Sequence, residues 1–304
     1  MFKFKEKQKI FDIGRVKVGG QPGELPTVLI GSIFYLGHKI VTDEKFGIFN
    51  KEKAEELIKK CESLSDQTTN PFMLDITGPT AEALNKYVDF VAETTDAPFL
   101  ISSENSKVLM SGAQHVAEVG LQDRTVYSSI SKGKTSKELE VVKDSGIKAA
   151  ILLAQNPMDP FSAKGKVAVM KDILNVAQKA KIEKPLIDVA IEAFGINMGP
   201  AARAVYLIKS EYQFPVGVGT GNVTTTFDWA KANVAKEARK ACYGSMHSIM
   251  QILGANWLMW GPIEHADWVF PTVAMTDTYV LTATAELGIQ PLEEGKHPAF
   301  KLIS

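Results

Sequence analysis

From Pro26 onward, short apolar and β-branched runs alternate with segments whose apolar residues fall three and four apart. The runs are Thr27–Ile33, Pro71–Ile76, Pro98–Ser102, Arg124–Ser129, Ile147–Ala154, Pro185–Val189, Pro215–Gly219 and Ala255–Gly261. Between them, Ala54, Leu57, Ile58, Cys61 and Leu64 form one helical stripe. Leu84, Tyr87, Val88 and Val91 form a second, and Val167, Met170, Ile173, Leu174 and Ala177 a third. The strand runs are apolar at nearly every position until their last one or two residues, as expected when both faces of a parallel sheet are covered. Eight βα units with no linker or low-complexity tract between them predict one (β/α)8 TIM barrel over residues 1–304. A doubly wound open sheet is the rival arrangement. Ahead of the barrel, Phe11–Asp12–Ile13 and Val16–Lys17–Val18 alternate before Gly19–Gly20, which predicts a β-hairpin extension within residues 1–25.

Composition adds exclusions. The 304 residues carry 34 Lys and Arg against 35 Asp and Glu, so no bulk field favours nucleic acid or an anionic membrane. Cys61 and Cys242, far apart in sequence, read as reduced thiols. The chain opens without a signal-peptide pattern, and no apolar run approaches the roughly 18 residues of a membrane span. A soluble, cytoplasmic protein is expected. The five histidines (His38, His115, His247, His265, His297) show no metal-ligand spacing, so no metal site is expected.

In a barrel of this kind, chemistry sits where strands end. Those ends carry Ser32, Asp75, Ser102, Ser128, Gln155, Asn156, Asp188, Asn222 and Glu264. Asp188 closes an apolar run; it is either an acceptor for loop amides or a carboxylate that takes a paired N–H edge, such as that of a 2-amino-4-oxopyrimidine. Asn222 lies in Gly217–Val218–Gly219–Thr220–Gly221–Asn222. It is either a helix cap or a neutral donor and acceptor at a site that backbone can approach closely. Asp75 either binds ligand or organises its own turn. Gly133–Lys134–Thr135 resembles the end of a P-loop, but Ser128 stands where that motif needs its first glycine.

The chain resembles the family formed by the H subunit of tetrahydromethanopterin S-methyltransferase and its bacterial relatives that methylate tetrahydrofolate. The resemblance rests on Val16–Lys17–Val18–Gly19–Gly20–Gln21–Pro22–Gly23–Glu24, His38–Lys39–Ile40–Val41, Pro98–Phe99–Leu100–Ile101, Pro185–Leu186–Ile187–Asp188–Val189–Ala190 and Gly261–Pro262–Ile263–Glu264. It implies a pterin-binding barrel, a corrinoid supplied by a partner protein, and a homodimer. It implies that Asp188 binds the pterin edge and Asn222 is the catalytic group beside N5, the atom carrying the methyl group. Asp75, Ser102, Ser128, Gln155, Gly217 and Gly219 would complete the pterin site, with Glu264 as a proton relay. Ser102 and Ser128 depart from the family's Asp and Asn, and each would then reach the pterin through water.

Lys164–Gly165–Lys166 leads into the fifth helix without the glycine-rich insertion of the archaeal subunit. With the two serines, this favours a free-standing enzyme moving a methyl group from a methylated corrinoid protein to tetrahydrofolate, as in glycine betaine demethylation. The alternatives are the archaeal subunit acting on tetrahydromethanopterin, and a non-catalytic docking subunit for a corrinoid protein.

Overall fold

The computed structural model of the chain describes residues 2–192 and 196–303. Strands β1 (Ile10–Ile13) and β2 (Val16–Gly19) form the expected antiparallel hairpin, with Phe11 opposite Val18. The barrel strands are β3 (Val28–Ile33), β6 (Phe72–Thr77), β7 (Phe99–Ser102), β8 (Thr125–Ile130), β9 (Ala149–Leu153), β10 (Lys184–Asp188), β11 (Val216–Val218) and β12 (Trp257–Pro262). They are parallel, lie side by side in chain order, and close where β12 pairs with β3. A two-stranded flap, β4 (Val41–Asp43) and β5 (Ile48–Phe49), sits in the first βα loop. The rival open sheet is excluded by this closure.

The outer helices are α1 (Lys51–Thr68), α2 (Ala81–Thr94), α3 (Ser106–Glu118), α4 (Ser136–Ser145), α5 (Ala163–Ala168), α6 (Met170–Lys179), α7 (Met198–Tyr212), α10 (Lys236–Ile252) and α11 (Ala266–Ala285). Two short helices, α8 (Gly221–Thr226) and α9 (Asp228–Asn233), follow β11, and α12 (Ala299–Leu302) lies near the C-terminus. Asn50, Thr80, Asn105, Thr135 and Ser162 each accept a backbone N–H as N-caps, which explains where their helices begin. Thr135 forms a full capping box with Glu138, so the P-loop-like Gly133–Lys134–Thr135 is a helix start.

Strand side chains alternate between the two faces of the sheet. Val28, Ile30, Met73, Leu100, Val126, Ile151, Leu186 and Trp257 point inward and form one core with Ile13, Val16 and Val18 of the hairpin. Leu29, Leu74, Ile76, Phe99, Ile101, Leu152, Ile187 and Leu258 belong to the larger core that includes the helices. The hairpin therefore plugs the N-terminal end of the barrel with apolar side chains.

Polar locks hold that end. Lys209 is wholly buried; its Nζ donates to the Gly20 carbonyl at 3.0 Å and to Asn256 Oδ1 at 2.6 Å, while Asn256 Nδ2 donates to the Gly19 carbonyl at 2.9 Å. Burial brings the Lys209 ammonium down to about 7. Gln21 closes a pair of hydrogen bonds with the backbone of Phe4. The Val16–Glu24 stretch is thus architectural and stands at the opposite end from the barrel mouth. Nearby, Asp277 on α11 accepts from Thr27 N–H, Thr27 Oγ1, Asn70 Nδ2 and Gln251 Nε2, tying three elements to the first barrel strand.

Two strand glycines make room for tryptophan. A Cβ on Gly217 would stand 2.1 Å from the Trp257 ring, and one on Gly31 would stand 2.3 Å from the Trp260 ring. Gly217→Ala is expected to lower stability in urea by about 2 kcal/mol or more, since overpacking strains a filled interior. Gly133→Ala, where a Cβ meets nothing within 4 Å, is the control and should unfold at the wild-type midpoint.

Candidate active site at the barrel mouth

The inward face turns polar towards the ends of five strands, at Ser32, Asp75, Ser102, Ser128 and Asp188. Strand register puts Ser32 beside Asp75, and Ser102 beside both Thr77 and Ser128. Asp75 is buried, and hydroxyls surround it. Ser32 Oγ donates to Oδ2 at 2.8 Å, Ser102 Oγ donates to Oδ1, and Thr77 gives a further side-chain hydrogen bond. Burial raises the Asp75 carboxyl above the ordinary range, against the lowering effect of these hydrogen bonds. The Ser102 hydroxyl is thus committed to Asp75.

Across the mouth, Asp188 is half-buried at the end of β10. Its Oδ1 accepts the Ala190 N–H at 2.8 Å, and the Gly219 N–H gives a second backbone bond. A carboxylate has about four acceptor positions, so roughly two remain. Burial pushes this carboxyl up to about 6; the Ala190 N–H, the Lys166 charge and the Gly219 N–H act in the opposite sense, while Glu192 adds to the rise.

Asn222 lies in the first turn of α8 and is exposed. It is not a cap, because Thr220 precedes that helix and makes no side-chain cap either. Its Nδ2 donates to the Ile191 carbonyl at 3.1 Å, leaving Oδ1 and one N–H for a ligand. A Cβ on Gly219 would find only Asn222 Nδ2 at 3.8 Å and Asp188 Oδ2 at 4.0 Å. The space over Gly219 is therefore open and bounded by these two side chains. The adjoining cavity, about 430 Å³, is lined by Ser32, Tyr35, Asp75, Asn222, Met259 and Pro262 among others. That size suits a fused bicyclic ligand. Behind it, α8 meets β12 backbone to backbone: a Cβ on Gly221 would stand 2.7 Å from the Gly261 Cα.

The rim carries a third group. Glu264, in the 3-10 turn Ile263–His265, has Oε1 3.0 Å from Nε2 of buried His38 and both oxygens within 3.3 Å of the Tyr35 hydroxyl. Phe34 N–H donates to His38 Nδ1, so Nε2 carries the proton of the neutral ring. The rings of Tyr35 and His38 stack at 4.4 Å. Burial works to raise Glu264, but His38 and Tyr35 outweigh it and hold the carboxylate below its ordinary range.

The mouth thus gathers Asp75, Ser102, Ser128, Asp188, Gly219, Asn222 and Glu264. Gln155 stands one step back and donates to Glu192 at 2.8 Å, while Asn156 donates to the Gly165 carbonyl at 3.3 Å. Gly217 is corrected: its open face is filled by the Trp257 ring, so packing rather than ligand approach requires glycine there. Tyr35, Thr220 and Lys166 carry no mark in the spacing. Thr220 is wholly buried, with its hydroxyl 3.1 Å from the Met259 carbonyl and 3.2 Å from His247 Nε2. Among the described residues, no three His, Cys, Asp or Glu side chains gather as a metal site, and no helix is long and apolar enough to cross a membrane.

The fold is shared with dihydropteroate synthases. The Yersinia pestis enzyme matches at a TM-score of 0.61 with 14% identity, covering 89% of this chain and 98% of that one. The Xanthomonas albilineans enzyme with 4-aminobenzoic acid matches at 0.59 and 16%, covering 94% and 100%. At such identities the likeness speaks to the barrel alone. Sequence takes the assignment further. Residues 6–292 match the family described as "Tetrahydromethanopterin S-methyltransferase MtrH subunit". The corresponding tetrahydromethanopterin S-methyltransferase subunit of Methanothermobacter thermautotrophicus is 42% identical over 313 residues, covering all of both chains. That of Methanopyrus kandleri is 40% identical over 314 residues, covering 97% of each. The chain belongs to this methyltransferase family.

These relatives overturn the expectation of a free-standing tetrahydrofolate enzyme, since their names specify tetrahydromethanopterin. The serine at the end of β7 misleads for a physical reason. Ser102 spends its hydroxyl on Asp75, so its identity reports on that carboxylate rather than on which pterin is bound.

Ser102→Ala removes one donor from the buried Asp75. Stability should fall by about 1–3 kcal/mol at pH 7, and the Asp75 titration, followed by carbonyl NMR, should move further upward. An unmoved titration would mean that Ser102 does not support this carboxylate.

Proposed function

We propose that the chain acts on methyl-tetrahydromethanopterin, releasing the N5 methyl group to the cobalt of a corrinoid carried by another protein. The observation that carries this reading is the open space over Gly219, bounded by a carboxylate with spare acceptor positions and an amide oriented by its own backbone partner. A 2-amino-4-oxopyrimidine edge presents paired N–H donors, which a carboxylate accepts in a two-point, charge-assisted contact. Asp188 is the group with that capacity.

N5 leaves poorly unless it holds a proton as the carbon–nitrogen bond breaks. In this reading Asn222 accepts a hydrogen bond from protonated N5 through Oδ1, because its Nδ2 is tied to Ile191. Asp75 is the carboxyl facing the same cavity, and burial shifts it upward, in the sense that favours holding a proton. Glu264 is a relay between cavity rim and solvent through Tyr35, which lines the cavity and donates to it. The corrinoid supplies the metal that takes the methyl group. What remains for this chain is to hold the methyl group in line with it, and such positioning supplies much of the acceleration in a displacement.

The test is calorimetry with tetrahydromethanopterin, together with methyl transfer from its methylated form to reduced cobalamin, followed optically. Wild type should bind and turn over, and failure to bind would leave a docking role. Asp188→Asn should weaken binding about 30-fold or more, as expected when a charged acceptor is lost. Asn222→Ala should lower turnover more than affinity. Because Asp188 must be ionised to accept the pterin edge, affinity should rise with pH through about 6 and fall below it.

A further inference from the structure

Beyond β10 the chain makes a turn that touches both Asp188 and Asn222. Ala190 adopts φ +50°, a left-handed conformation unusual for a residue with a side chain. Its N–H donates to Asp188 Oδ1. The next carbonyl, of Ile191, accepts from Asn222 Nδ2. The following residue, Glu192, donates its N–H to Asn197 Oδ1 at 2.8 Å, and its carboxylate accepts from Gln155 Nε2. One short segment therefore sets both the carboxylate and the amide of the proposed pterin site.

What holds that segment is a lysine with no exposure to solvent. Lys166, on α5, reaches the turn and donates from Nζ to the Ala190 carbonyl at 2.8 Å, alongside Asn197 Nδ2 at 3.2 Å. A buried ammonium with a carbonyl as its close partner is costly, and an aliphatic side chain would fill the slot without that cost. The charges it acts on are Asp188 and Glu192, which flank the carbonyl it holds. Nothing in barrel packing calls for a cation there, whereas the carboxylates of Asp188 and Glu192 favour one.

We propose that Lys166 is a positioning residue of the methyl-transfer site, fixing the 188–192 turn so that Asp188 and Asn222 face one ligand together. This rests on the pterin reading given above. Lys166 touches no substrate; it acts through the Ala190 carbonyl and through its charge on Asp188. The groups facing Asp188 are Lys166 from α5, Glu192 from the turn, and the N–H groups of Ala190 and Gly219.

The experiment compares wild type with Lys166→Met, which keeps length and loses donor and charge, and Lys166→Gln, which keeps a donor without charge. The Asp188 carboxyl is titrated by carbonyl NMR without ligand, its signal assigned with Asp188→Asn, and tetrahydromethanopterin affinity is then measured against pH. In both variants the Asp188 titration should move upward by about one pH unit or more, since a nearby cation is removed. Affinity at pH 7 should fall about tenfold or more, with the inflection displaced to higher pH. A merely structural lysine would lower the melting temperature and leave the titration in place. Unchanged titration in a folded variant overturns the proposal, and if one variant fails to fold the other decides. Should wild type bind no pterin, the functional reading falls while the ligand-free titration still decides the role of Lys166.

Discussion

Closure of the barrel by its own hairpin is the constraint from which the rest follows. Ile13, Val16 and Val18 fill the N-terminal end and join the inward side chains of the strands in one apolar core. With that end sealed and the interior packed, polar side chains can face inward only where strands run out. The site is polar at the mouth because the same inward face, two residues further along each strand, leaves the core. Gly217, opposite Trp257, belongs to this constraint, since the strands cannot close around an indole without a gap in the inward side-chain layer; Gly31 makes the matching gap for Trp260 on the helix-facing side.

The mouth holds three carboxylates of differing exposure, each managed differently. Asp75 relies on hydroxyls, Asp188 on backbone N–H groups and the charge of Lys166, and Glu264 on a histidine and a tyrosine. Burial raises the first two, while direct partners hold the third low. Carboxyls of the same chemical type within one opening are thus pushed in opposite senses by what surrounds each, Asp75 and Asp188 upward and Glu264 downward.

The barrel is legible in the sequence because its signal is redundant: eight strand runs, each apolar to its last residues, and helical stripes between them. The hairpin is legible through simple alternation. Asp188, Asn222 and Asp75 stand out because a polar residue ending an apolar strand is locally anomalous. Lys166 does not. A lysine in a short helix reads as a solvent-facing residue, and only the fold of the 156–165 loop and the turn after β10 buries it. Gly217 misleads for a related reason, since a strand glycine looks the same whether a ligand or an indole fills the space. The bond from Ser102 to Asp75 is not legible in the sequence, because its partner lies on the adjacent strand and 27 positions away. The longest shared motif, Val16–Glu24, is the lock at the sealed end, so strength of resemblance and nearness to chemistry are separate properties.

The contact between Gly221 and Gly261 has a consequence for how this protein can change over generations. Each glycine is required by the backbone of the other, so neither position admits a side chain while its partner stays where it is. A lineage diverging in substrate preference cannot reshape the floor beneath Asn222 by single replacements. Its accessible paths run through Tyr35, Thr225 and Met259, whose side chains line the same opening. Novelty at this mouth is expected to accumulate on the walls, above a floor that inheritance holds fixed.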